Sequence, residues 1–120
     1  ALAYAERNAQ ANGVSLQAIR DDAFDALKAL QEQGAHFDVI ILDPPAFARN
    51  KESLEGALRG YKEINNRAMR LLKDGGVLIT CSCSYHMSEG LFAAMLESTD
   101  ALVGTSGSRL TFFHSVEFAR

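Results

Sequence analysis

The chain has no long apolar run, little cysteine and no excess of basic charge, and each absence removes a class of protein. No stretch approaches the roughly 18 apolar residues that a membrane-spanning helix needs, and the N-terminus lacks the basic-then-apolar order of a signal peptide. The sequence reads as soluble. Its only cysteines, Cys81 and Cys83, stand one residue apart. That spacing suits neither a loop-closing disulfide nor, alone, a four-ligand metal site, so a secreted disulfide scaffold is excluded and a reducing, cytoplasmic setting is expected. Twelve Lys and Arg against fifteen Asp and Glu leave a net charge of −3. Nucleic acid would not be held by net charge, and any such surface has to be local.

What is present is a chain of 120 residues, 48% hydrophobic, enough for one domain with a real core. Leu2, Ala5, Ala9 and Asn12 fall at helical spacing, with Gly13 as a C-cap. Ser15 to Ile19 reads as a short strand. Asp22 then caps an amphipathic helix carrying Phe24, Leu27 and Leu30 that stops at Gly34. The run Phe37 to Leu42 is apolar and β-branched, as expected of a parallel strand buried on both faces, and Asp43-Pro44-Pro45 ends it. A long helix is expected over 52–73, terminated by Asp74-Gly75-Gly76, and a second buried strand over Val77 to Cys81. Ser88-Glu89 opens a helix through Leu96, Gly104 to Ser108 reads as a loop, and Leu110 to His114 as a strand. Strands alternating with helices predict an α/β fold with a mainly parallel sheet and flanking helices.

In such sheets ligands sit beyond the carboxyl ends of the strands. Those ends carry Asp21-Asp22, Asp43-Pro44-Pro45-Ala46-Phe47 and Cys81-Ser82-Cys83-Ser84. Cys83, just past a strand and just before a helix, stands where backbone N–H groups and a helix N-terminus favour a thiolate, so it is a candidate nucleophile. Cys81, still inside the strand, reads as a small buried residue. A metal site of Cys81, Cys83 and His86 has too few ligands and no second cluster, and His36 and His114 read as structural or surface residues. Pro44 and Pro45 have no N–H, so Asp43 and the backbone carbonyls beside it project acceptors, which suit a substrate amine such as the exocyclic amino group of a nucleobase. The alternative is a rigid turn. Phe47 is placed to stack on a base. Asp22, if more than an N-cap, would accept from an adenine amino group while the Ala23 N–H donates to the ring. Residues 49–73 hold seven bases and three acids. Pairs such as Glu55–Arg59 and Glu63–Arg67 account for most of these as a solvated helix face, whereas Arg49 and Lys51, next to the Asp-Pro-Pro turn, suit phosphate contact.

Taken together, Asp38-Val39-Ile40-Ile41-Leu42-Asp43-Pro44-Pro45-Ala46-Phe47, Asn50-Lys51, Arg59-Gly60-Tyr61-Lys62-Glu63-Ile64-Asn65 and Gly75 to Ser84 resemble one family closely. It is the class I S-adenosylmethionine-dependent methyltransferases of the ribosomal RNA large subunit methyltransferase I type, which act on cytosine C5 of 23S rRNA. The resemblance covers about residues 1–97 and fades after Leu102. It implies a Rossmann-like class I methyltransferase fold, S-adenosylmethionine as methyl donor and 23S ribosomal RNA as partner. By position, Asp22 matches the adenine-contacting acid, Asp43 and Pro44 match the motif lining the target-base pocket beside the methyl donor, and Cys83 matches the catalytic cysteine. Another branch of cytosine-C5 RNA methyltransferases has a second cysteine where this chain has Ala46, so a single-cysteine type is expected.

The resemblance also implies a first strand with a Gly-rich loop and an acid ending the second strand, both upstream of Ala1, and a final strand beyond the end of the chain. The chain is therefore expected to be a central-to-C-terminal piece of the catalytic domain, without the family's PUA and linker domains. Its uncovered sheet edges are expected to pair in a homo-oligomer. The rival readings are an amino-group methyltransferase acting on adenine or guanine, which needs no cysteine, and a non-catalytic RNA-binding remnant.

Overall fold

The computed structural model describes residues 2–47, 53–83 and 86–103. Helices α1 (Leu2–Ala11) and α2 (Ala23–Glu32) precede strand β1 (Phe37–Leu42). Helix α3 (Leu54–Arg70), strand β2 (Leu72–Thr80) and helix α4 (Glu89–Val103) follow. Both early helices end as their glycines predict. Gly13 and Gly34 take φ of 65° and 69°, and Val14 N–H returns to Ala9 O and Ala35 N–H to Leu30 O, each at 3.0 Å. These are Schellman closures that satisfy the last helical carbonyls. At its start, α2 is capped by Asp22, whose Oδ1 accepts from Phe24 N–H at 2.8 Å. Helix α4 is opened by Ser88, whose Oγ accepts from Leu91 N–H at 3.3 Å.

Strands β1 and β2 pair in parallel, with Val39 opposite Val77, Ile40 opposite Leu78, Ile41 opposite Ile79 and Leu42 opposite Thr80. The α/β architecture with a parallel ladder is as expected, and α3 supplies the crossover that parallel neighbours require. Ile40, Leu42 and Leu78 turn toward the helices, where Leu42 packs with Ile64 and Ala68 of α3 and with Phe24 and Leu27 of α2. A second cluster, around Ala57, Tyr61, Met69, Met87, Met95 and Leu96, joins α3 to α4.

Four expectations need correction. Residues 14–20, read as containing a strand over Ser15 to Ile19, are exposed and form no ladder with β1 or β2; an extended segment needs a strand edge to bind, and neither edge engages this one. The Phe37 to Leu42 run is not buried on both faces. Val39, Ile41, Val77 and Ile79 are 53%, 65%, 52% and 47% exposed, because among the described residues the helices cover only the opposite side. Helix α3 ends at Arg70 rather than 73, and strand β2 begins at Leu72 rather than Val77, so that Asp74-Gly75-Gly76 lies inside the strand instead of terminating the helix: the register shifts between Phe37, paired with Leu72, and Val39, paired with Val77. Helix α4 runs on to Val103 rather than stopping at Leu96. The loop Gly104 to Ser108 and the strand Leu110 to His114 lie outside the described residues.

Candidate functional site

The ladder brings the ends of β1 and β2 side by side. Cys81 N–H donates to Leu42 O at 2.9 Å, one step beyond the last paired residues, so the segments that leave the two strands start as neighbours. From there Cys83 reaches across, and its Sγ–H donates to Pro44 O at 3.6 Å. Pro44 can receive this contact because β1 and its ladder end at Leu42, so the Pro44 carbonyl has no strand partner in the ladder. Cys83 is exposed and Cys81 half-buried. Asp43 is exposed and Pro44 half-buried. An exposed thiol, an exposed carboxylate and the carbonyl that the thiol meets thus lie on the neighbouring ends of the two strands.

Phe47, three residues after Pro44, is half-buried. Its ring meets Tyr61 edge-on with centroids 4.6 Å apart and planes at 69°, and stands 6.2 Å from Phe24. The Phe24 contact ties the start of α2, and hence Asp22 and Ala23, to the turn that follows β1. Asp22 is exposed. One of its carboxylate oxygens is used by the helix cap; the other has no partner among the described residues. The Ala23 N–H is at the first position of α2, where no intrahelical acceptor exists. The start of α2 thus sets a carboxylate oxygen beside a backbone N–H that has no intrahelical acceptor. Arg49 and Lys51 lie outside the described residues.

Sequence reasoning assigned no role to two groups here. Tyr61, fully buried in α3, accepts through its phenol oxygen from Ser82 Oγ–H at 3.1 Å, and Ser82 immediately precedes Cys83. Helical spacing marked Tyr61 only as a core position; nothing local shows that its hydroxyl reaches a strand end. The basic side of α3, by contrast, is as expected. Arg59 pairs with Glu55 at 2.8 Å and Arg67 with Glu63 at 2.7 Å, while Lys28 of α2 stands 4.0 Å from Glu32. The groove between α2 and α3 is lined by Lys28, Glu32, Arg59, Lys62, Glu63, Arg67 and Arg70 among others, and several of these charges are matched within their own helices. Among the described residues no three His, Cys, Asp or Glu side chains gather to hold a metal, and no helix is long and apolar enough to cross a membrane.

Comparison with known proteins gives the same picture at the level of family. The methyltransferase small domain family matches residues 1–110. Ribosomal RNA large subunit methyltransferase I of Klebsiella pneumoniae subsp. pneumoniae is 48% identical over 99 residues, 80% of this chain and 25% of that protein. The protein of the same name from Aeromonas salmonicida is 52% identical over 95 residues, 77% of this chain and 24% of its own. That from Cronobacter sakazakii is 45% identical over 106 residues, 84% and 27%. The chain spans about a quarter of the length of these relatives. A parallel ladder with its polar and nucleophilic groups at the strand ends, matched over most of its length, places this chain in the methyltransferase small domain family.

Proposed function

We propose that the protein containing this chain transfers a methyl group from S-adenosylmethionine to C5 of a cytosine in 23S ribosomal RNA, through a covalent adduct with Cys83. The observation that carries the reading is the exposed Cys83 thiol lying 3.6 Å from the Pro44 carbonyl, at the end of the strand next to Asp43. Cytosine C5 is a weak nucleophile. Addition of the Cys83 thiolate to C6 moves the ring electrons toward C5, which becomes enamine-like and reactive. Asp43 accepts from the 4-amino group and stabilises or protonates the ring near N3, with the Pro44 carbonyl as a second acceptor. When bound, S-adenosylmethionine supplies an electrophilic methyl group, and Asp22, Ala23 and Asp43 are the residues of this chain that would hold it. Once C5 is substituted, its proton leaves to a base, the ring electrons return, and the bond between C6 and Cys83 breaks.

A base inside an RNA helix has to be unstacked before it can enter. Phe47, half-buried beside the turn after β1, would be its stacking partner, and Arg49 and Lys51 would supply charge for the flanking phosphates. The names of the relatives support ribosomal RNA as substrate; the thiol and its acceptors support the cytosine C5 position.

In the full-length protein, Cys83→Ala is expected to abolish methyl transfer and the covalent complex with RNA carrying 5-fluorocytidine, read as a band shift on a denaturing gel. Methyl transfer that survives the substitution would move the reaction to an exocyclic amino group. Absence of S-adenosylmethionine binding by the wild type in calorimetry would leave an RNA-binding protein without catalysis.

A further inference from the structure

We infer that Tyr61 is a positioning residue that holds the two strand-end segments of the site at a common spacing. The inference rests on the reading of Cys83 as nucleophile. Beyond the contact of Cys81 N–H with Leu42 O, no ladder sets the separation of residues 43–47 from residues 81–83. Tyr61 touches both. Its hydroxyl meets Ser82, the neighbour of Cys83. Its ring meets Phe47, three residues after the Pro44 whose carbonyl takes the Cys83 S–H. The side chain itself has no freedom to follow either segment. It is 0% exposed, Phe92 of α4 closes on it at 5.5 Å and 87°, and the fully buried Asn65 fastens its backbone carbonyl through Nδ2 at 2.8 Å.

A buried phenol oxygen has to find partners inside the protein, and its contact with Ser82 ties the segment bearing Cys83 to the core of α3. The chemistry needs precision there. One cytosine ring has to meet a sulfur at C6 and a carboxylate at its amino edge together, and a misplacement of about 1 Å in such an arrangement costs as much as a hundred-fold in rate. A tyrosine that served only the core would need no hydroxyl aimed at the residue before the nucleophile.

The test uses the full-length protein with Tyr61→Phe, which keeps both ring contacts, Ser82→Ala, the double variant, and Ser82→Thr, which restores a hydroxyl. Each single loss is expected to lower kcat roughly ten-fold, with KM for RNA within about two-fold of the wild type and no loss of the cooperative thermal transition. The double variant is expected to lose clearly less than the two single losses combined, since the singles share this contact, and Ser82→Thr to recover most of the rate. Alkylation of Cys83 by iodoacetamide, which needs neither cofactor nor RNA, is expected to accelerate equally in both single variants and the double. Unchanged kcat and alkylation, or losses that add in the double variant, would overturn the role of Tyr61. If Cys83→Ala retains methyl transfer while the alkylation pattern holds, the nucleophile assignment fails and the positioning of the segment stands.

Discussion

Asp22 is asked to do two things, and its two oxygens separate them. Oδ1 caps α2 through Phe24 N–H, while the second oxygen is the one proposed to face adenine. Serine can cap a helix but carries no carboxylate. Asp22→Ala is therefore expected to cost about 1 kcal/mol in urea unfolding, and Asp22→Ser much less. Both are expected to weaken S-adenosylmethionine binding by the full-length protein, measured by calorimetry. Wild-type affinity in Asp22→Ser would reduce this residue to a helix cap. Asp22 was legible in the sequence because capping is local: a short acceptor, an apolar helical pattern and a terminal Gly34 lie within one short stretch. Tyr61 was not, since its partners Ser82, Phe47 and Phe92 are distant along the chain and only packing brings them to one ring.

Elements show the same division. Both Schellman closures follow from glycine placement, as the sequence indicates. The start of β2 does not. Chain direction suggests that Asp74-Gly75-Gly76 ends a helix, yet α3 has already stopped, with Leu71 as its C-cap, and the glycines sit in the strand where the register shifts. A Cβ on Gly76 would stand 2.9 Å from Lys73 O and 3.2 Å from Asp38 O, both backbone atoms. The closest obstruction is β2's own bend at Lys73, with β1 tight against it at Asp38. Lys73 and Asp38 close the same seam from outside with a 2.9 Å ion pair that is largely exposed and so adds little. Gly76→Ala is expected to lower stability by about 1–3 kcal/mol in denaturant unfolding, since the obstruction is main chain and cannot swing aside. An unchanged midpoint would mean that the seam opens freely.

For the whole molecule, the exposed side of the sheet is the main feature that composition does not reveal. Val39, Ile41, Val77 and Ile79 form an apolar patch on two paired strands, and patches of this kind drive association. The 120-residue chain expressed alone is expected to run larger than its 13.1 kDa in light scattering coupled to size exclusion. Ile41→Lys with Ile79→Glu, which face each other in register and can pair across the strands, is expected to restore a monomer. A monomeric parent chain would refute association through this face.

Local chemistry in the sequence determined where α1 and α2 stop, which segment is the principal strand, and which residues follow the strand ends, because caps, prolines and apolar periods act over a few positions. Three matters waited for the tertiary structure: which sheet face is covered, where β2 starts, and that the Cys83 thiol lies on the Pro44 carbonyl. Each depends on which distant segments meet, and pairing across the chain is settled by the competition of all buried surfaces together rather than by any one stretch.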